Sequence, residues 1–201
     1  MEILCNDKDI TVAVKEPSLL SQAEPTGNNI ISKLNEYYAE SDESAEAFPI
    51  HRLDRGVGGV MVFAKHQKSA AVLSKAVADR TLDKEYLAVI IGSPDEDSEV
   101  YKDLLFKDSR KNKSFVVTRE RKGVKRASLE YETVKTADGI SLVRILLHTG
   151  RSHQIRVQFA SRGFPLLGDH KYGARDGASA PMLFSCCLTF PWHGKTLRFE
   201  R

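Results

Sequence analysis

Apolar and polar residues follow one another in two rhythms along this chain. EILCNDKDITVAVKEP, at the start, reads as two short strands around an Asn-Asp turn, with Pro17 ending the second. In TGNNIISKLNEYYAE (26–40) the rhythm lengthens: Ile30, Ile31, Leu34, Tyr37 and Tyr38 fall at helical spacing, with Thr26, Asn28 or Asn29 as N-cap. GGVMVFAKH (58–66) is a continuous apolar run of a length suited to a buried strand. QKSAAVLSKAVADR (67–80) is the clearest amphipathic helix, with Ala70, Leu73, Val77 and Ala78 on its inner face. DKEYLAVIIG (83–92) is a strand stopped by Gly92 and Pro94, and ASLEYETVKTADGISLVRILLHT (127–149) alternates around Asp138-Gly139, a strong hairpin pattern. GRSHQIRVQFASRG (150–163) returns to helical spacing through Ile155, Val157, Phe159 and Ala160, with Gly163 as C-cap, and PMLFSCCLTFPW and KTLRFER close the chain as two strands.

This pattern amounts to about nine strands and three main helices, joined by hairpins more than by strand–helix–strand crossovers. It predicts an α+β fold: a single domain over residues 1–201, with a largely antiparallel mixed sheet flanked by helices and loops. A chain of 201 residues can bury one good core. No apolar run approaches the ~20 residues that span a bilayer, and MEILCNDKDI lacks the basic and apolar regions of a signal peptide, so a cytoplasmic protein is expected. Three cysteines, two of them adjacent at 186 and 187, give neither a disulfide framework nor zinc-finger spacing and are expected as buried or half-buried thiols.

Charge changes the picture once it is divided along the chain. Residues 1–50 hold 3 Lys/Arg against 10 Asp/Glu, and residues 51–201 hold 27 against 17. The basic excess peaks in KDSRKNKSFVVTRERKGVKR (107–126), with nine basic residues and two acidic ones. Such a cluster is the footprint of a polyanion site, although a charge run can equally be a solvated loop. Phe115 with Val116 and Val117 inside the run favours a basic β-hairpin.

Two constellations carry candidate chemistry. In HRLDRGVGG (51–59) one acid, Asp54, stands between two arginines and is followed by three glycines in four positions. In an extended chain Arg52 and Asp54 share a face, and a guanidinium beside a carboxylate favours its ionised form. That suits a nucleophile or an electrostatic stabiliser; a buried Arg–Asp tie at a strand end explains the charges equally well. The glycines provide access for a ligand or begin a tightly packed strand. In HTGRSHQIR (148–156), Arg151, His153, Gln154 and Arg156 gather at a strand-to-helix junction, a place to hold phosphate or simply a capped, charged helix start. His51 and His153 have no third ligand at a recognisable spacing, so no metal is expected.

HRLDR with the strand ending in FAK, then KEYLAVIIG, then TGRSHQIRVQFASRGFPLLGDHKYG closely resemble, in order, three motif regions of the RluA-type pseudouridine synthase family. VAVKEP echoes its V-x-x-K-P segment, so the resemblance covers nearly the whole chain. It implies isomerisation of specific uridines to pseudouridine in structured RNA, ribosomal or transfer RNA, without a cofactor. The family's essential Asp falls on Asp54, and its matching basic residue, expected to pair with that Asp, on Arg151. Tyr86 takes the place of the active-site Tyr that packs on the target base. Arg52 matches the residue that enters the space left by the flipped nucleotide. His51, Arg55 and Lys84, with His153, Gln154 and Arg156, are expected to contact RNA. The resemblance is to the catalytic domain, acting as a monomer and without the small S4-like RNA-binding domain that many relatives carry at the N-terminus. RNA affinity then falls to the catalytic domain itself, with 107–126 as the leading candidate for extra contacts. Many members read D-T-S-G where this chain has Gly56, Val57, Gly58 and Gly59; Glu16 is inserted before Pro17, and Phe184 stands where a His is frequent. The competing expectations are a catalytically silent RNA-binding protein of the same fold and a hydrolase using Asp54 and His51 as an acid–base pair.

Overall fold

The computed structural model describes residues 1–23, 27–41 and 43–201, and the chain divides into two units, Met1–Lys84 with Ser185–Arg201, and Glu85–Phe184. The first unit opens with the expected hairpin, β1 (Glu2–Asn6) and β2 (Ile10–Lys15), whose turn is closed by the Asp7 carboxylate accepting the Asp9 and Ile10 amides, both at 2.7 Å. Helix α1 (Ile30–Glu40) is capped by Asn29, whose side chain accepts the Ser32 amide at 2.9 Å; Thr26, the alternative cap, lies outside the described residues. A two-residue strand, β3 (Phe48–Pro49), leads towards β4 (Gly58–Ala64). β4 pairs antiparallel with β2 from Lys15↔Gly59 to Ile10↔Ala64.

Helix α2 (Gln67–Ala78) follows, and β10 (Leu183–Trp192) and β11 (Lys195–Glu200) return late in the chain to complete the order β1-β2-β4-β10, with β11 on β10 and β3 on β4. All seven residues of β4 are buried, which is why it reads as an unbroken apolar run. Val60 and Val62 pack with Ile10, Leu188, Phe190 and Leu73. On α2 the buried stripe is Ser69, Leu73 and Ala76. Ala78 is exposed, contrary to its expected inward place, because it lies about 140° around the helix from Leu73.

The second unit holds β5 (Asp83–Ile91), β6 (Ser98–Asp108), β7 (Lys113–Val117), β8 (Val124–Ala137) and β9 (Ile140–Leu146) in the order β5-β9-β8-β6-β7, antiparallel throughout. β8 and β9 turn at Asp138 (φ 52°) and Gly139 (φ 77°), the positive-φ pair expected of an Asp-Gly hairpin. The basic segment is a hairpin, as expected: β6 and β7 pair from Leu104↔Val117 to Asp108↔Lys113. Helix α3 (Gln154–Ala160) is shorter than the motif that contains it, and a single-turn 3-10 helix covers His170–Tyr172. Tyr101 of β6, Tyr131 of β8 and Phe159 of α3 form an aromatic triangle with ring centroids 4.9–5.3 Å apart. The described residues form eleven strands and three α-helices, so the fold is α+β with more strands than the pattern predicted.

Candidate active site

In the first unit the HRLDR segment crosses from β3 to β4 as irregular chain, and a small set of side chains fixes its path. The Ser21 hydroxyl accepts the Leu53 amide at 3.0 Å and donates to the Leu53 carbonyl at 2.8 Å. Both backbone groups of the residue before Asp54 are thus tied to one side chain, so buried Leu53 leaves no polar group unsatisfied. Just beyond, the Val57 amide donates to the Asp54 carbonyl at 3.0 Å, closing a turn with Arg55 and Gly56 at its corners. Asp54 therefore stands, half-buried, between a clamped neighbour and a tight turn. Arg52 is exposed, and its guanidinium donates to Gln22 Oε1 at 2.6 Å.

The clamp has its own support. Lys15, fully buried at the end of β2, donates from Nζ to the carbonyls of Glu16 (3.0 Å) and Leu19 (2.7 Å), curling the chain that presents Ser21 and Gln22. Burial pushes the Lys15 ammonium down to about 8, with the negative charge of Asp54 acting in the opposite sense. His51 is buried as well; the Val62 amide donates to its Nε2 at 3.4 Å, which leaves the proton of the neutral ring on Nδ1. Nδ1 has no hydrogen-bond partner among the described residues. Burial, with the Lys84 charge adding to it, lowers the His51 pKa to about 3, and burial lowers that of Lys84 too.

The glycines answer to packing. Gly59 has φ +130°, and a Cβ there would lie 2.3 Å from the Ser185 carbonyl oxygen and 2.5 Å from its nitrogen. A Cβ on Gly58 would stand 3.1 Å from the Lys15 carbonyl oxygen and from the Pro17 ring. Between them these residues let β4 lie against β2 on one side and β10 on the other.

In the second unit the TGRSHQIR segment is knotted rather than simply helical. The Gln154 amide accepts from Thr149 Oγ1 (2.7 Å) and the Arg151 amide (3.0 Å) and donates to the Ser128 carbonyl (3.1 Å). Arg151 Nε donates to the Arg126 carbonyl at 3.0 Å. His153 adopts a left-handed backbone (φ 53°), at a cost of about 1–2 kcal/mol for a residue with a Cβ. That kink delays the helix to Gln154. It is held by Tyr172, whose hydroxyl lies 3.0 Å from His153 Nδ1 and accepts the Ser114 amide at 2.8 Å, while Ser114 Oγ donates to the Ser152 carbonyl at 2.6 Å. Arg156 grips Asp169 through two bonds of 2.6 and 2.8 Å, both side chains buried, and its guanidinium lies over the Tyr172 ring. Tyr86 is buried on β5, opposite Ile145 of β9.

Of the ten site residues expected from sequence, Asp54, Arg52, His51, Arg55 and Lys84 lie in the first unit, and Tyr86, Arg151, His153, Gln154 and Arg156 in the second. His51, Gln154 and Arg156, expected at the RNA surface, are buried. Gln154 spends its amide on loop backbone, Arg156 its guanidinium on the Asp169 carboxylate, and His51 its Nε2 on the Val62 amide, so each faces the protein. The seven-residue α3 likewise presents a buried first turn in place of the expected phosphate cradle. Lys15, Ser21, Gln22, Ser114, Asp169 and Tyr172 were not singled out from the sequence. Lys15 lies in the V-x-x-K-P echo and Asp169 and Tyr172 in GDHKYG, whereas a lone serine in a loop, such as Ser21, carries no pattern of its own.

The RNA pseudouridylate synthase family matches this chain over residues 9–161, a span that includes both the Asp54 loop and the Arg151 knot. The chain belongs to that family. It is 33% identical over 179 residues to an uncharacterized RNA pseudouridine synthase of Mycobacterium bovis, covering 87% of this chain and 57% of the relative. A second uncharacterized RNA pseudouridine synthase, from Aquifex aeolicus, is 31% identical over 205 residues, covering 96% and 64%. The chain thus spans about 57–64% of the length of these curated relatives. Among solved structures it shares its fold with human RNA Pseudouridylate Synthase Domain Containing 1, at a TM-score of 0.84 and 20% identity over 100% of this chain and 82% of the other. No helix among the described residues is long and apolar enough to cross a membrane.

Proposed function

We propose that this chain is an RNA pseudouridine synthase, that residues 1–201 act as its catalytic domain, and that Asp54 is the carboxylate that acts on the target nucleoside, served by Tyr86 and Arg151. The reading is carried by one observation: a single family match embraces both HRLDR and TGRSHQIR, two segments whose backbones are each held by a side-chain clamp. The reaction breaks the bond from C1′ to N1 of uracil, forms one from C1′ to C5, releases the C5 proton and places a proton on N1, so the product is an isomer and the step is redox-neutral without a co-reactant. Reaching C1′ requires the uridine to leave its stack, at a cost of a few kcal/mol. Exposed Arg52 then exchanges its bond to Gln22 for the vacated space or a phosphate. We take the substrate to be ribosomal or transfer RNA, in the cytoplasm, and the enzyme to act as a monomer.

The test uses RNA tritiated at uridine C5. The wild type releases tritium and converts uridine to a nucleoside of unchanged mass. Asp54→Asn, which keeps the side-chain shape, abolishes release while retaining the wild-type unfolding midpoint and RNA affinity. Turnover by a correctly folded Asp54→Asn protein refutes the assignment, and RNA binding by a wild type that never yields pseudouridine refutes the activity.

A further inference from the structure

Nine of the 17 lysines and arginines of the second unit lie on one ribbon, residues 107–126. Lys107, Arg110, Lys111, Arg119, Lys122 and Lys125 are exposed on the β6–β7 hairpin and the turn into β8. Among the described residues none of these six has a carboxylate within ion-pair distance; in the same segment Arg126 does, with Glu120 at 2.7 Å. Two further cations are held on rings: Arg121 lies 4.7 Å above Phe106, and Lys113 4.9 Å above Tyr172. So many like charges left without counter-charge repel one another, and that repulsion turns into attraction when a polyanion lies along them.

The ribbon is also part of the Arg151 knot. Arg151 bonds the Arg126 carbonyl, Ser114 bonds the Ser152 carbonyl and the Tyr172 hydroxyl, and Lys171 Nζ donates to the Asn112 carbonyl at the hairpin tip, 3.1 Å away. A strand of RNA held on the ribbon is therefore placed in register with Arg151.

We propose that the ribbon 107–126 is a rail for the phosphates of RNA flanking the target uridine, set in register with Arg151 by Ser114 and Tyr172. The proposal rests on the synthase reading for its target, while the binding itself is measured without catalysis. In the Asp54→Asn background, affinity for a fluorescein-labelled oligouridine 20-mer is measured as a function of salt, with and without the triple change Arg110→Gln, Lys111→Gln and Lys122→Gln. Each phosphate contact to a single strand adds about 0.7 to the magnitude of the log–log salt slope. The triple variant should lose about 2 in slope and bind at least tenfold more weakly near 0.1 M salt, with an unchanged unfolding midpoint. In the Asp54 enzyme the same changes raise KM far more than they lower kcat. An unchanged slope overturns the rail, and so does loss of binding to poly-L-glutamate with oligouridine affinity retained, which assigns the ribbon to an acidic protein. If the rail variant loses oligouridine affinity but the wild type makes no pseudouridine, the synthase reading fails and the rail stands.

Discussion

Replacing Gly59 by alanine separates the two uses a glycine can have beside Asp54. The new methyl group would sit 2.3 Å from the Ser185 carbonyl oxygen, 2.5 Å from its nitrogen and 2.7 Å from its Cα, all of them backbone and unable to swing aside. Overpacking of this kind costs about 1–3 kcal/mol. The backbone at φ +130° is a region nearly reserved for glycine, which adds roughly 1–3 kcal/mol. Gly59→Ala should then cost about 2–6 kcal/mol, a large share of the 5–15 kcal/mol typical of a domain. Gly58→Ala is the control: its Cβ contacts are at 3.1 Å, and the expected cost is about 1 kcal/mol. Urea unfolding followed by circular dichroism measures both; with a slope of about 2 kcal/mol per molar, Gly59→Ala moves the midpoint by about 1–3 M. Equal effects of the two substitutions, or a cost below about 1 kcal/mol for Gly59→Ala, refute the packing argument. A glycine kept for ligand access would instead leave the midpoint alone and raise KM.

Two further outcomes follow from the buried groups. The imidazole of His51, with its pKa near 3, stays neutral, so its NMR resonances are flat from pH 5 to 8. Because the unfolded state binds that proton from about pH 6.5 downward and the folded state does not, His51 withdraws stability as pH falls from 6.5 towards 3, and a resonance titrating near 6.5 refutes its burial. Arg156→Met leaves the Asp169 carboxylate buried without its partner and should cost about 3–5 kcal/mol, most of it recovered in Arg156→Met with Asp169→Leu. A single substitution costing under about 1 kcal/mol in urea unfolding contradicts the role given to the pair.

Much of the fold was legible because its signals are local. β4, α2 and the Asp138-Gly139 hairpin follow directly from an apolar run, a helical stripe and a turn that tolerates positive φ. β6 escapes the pattern, since its Ser98–Asp108 stretch carries five charges and alternates weakly, and it becomes a strand through pairing with β8 from Ser98↔Glu132 to Phe106↔Val124. The pattern opens the α3 segment at Gly150 although its apolar spacing begins only at Ile155, and the left-handed turn at His153 that delays the helix to Gln154 leaves no mark in spacing. The same limit governs the candidate site. Asp54, Tyr86 and Arg151 stand in motifs, but that Ser21 reaches Leu53 across 32 positions, or that Gln154 spends its amide inside a knot, depends on contacts distant in the chain.

The ribbon has a second consequence, for the life of the protein in a crowded solution. β7 ends the strand order of its unit, and an outer strand offers unpaired amides and carbonyls to any passing chain. Lysines and arginines around such an edge keep other strands away, so the charges proposed to hold RNA phosphates also oppose the growth of a sheet. A change that made this edge apolar would create an aggregation seed whether or not the proposed rail binds RNA, so charge at 107–126 has a use that is independent of any ligand.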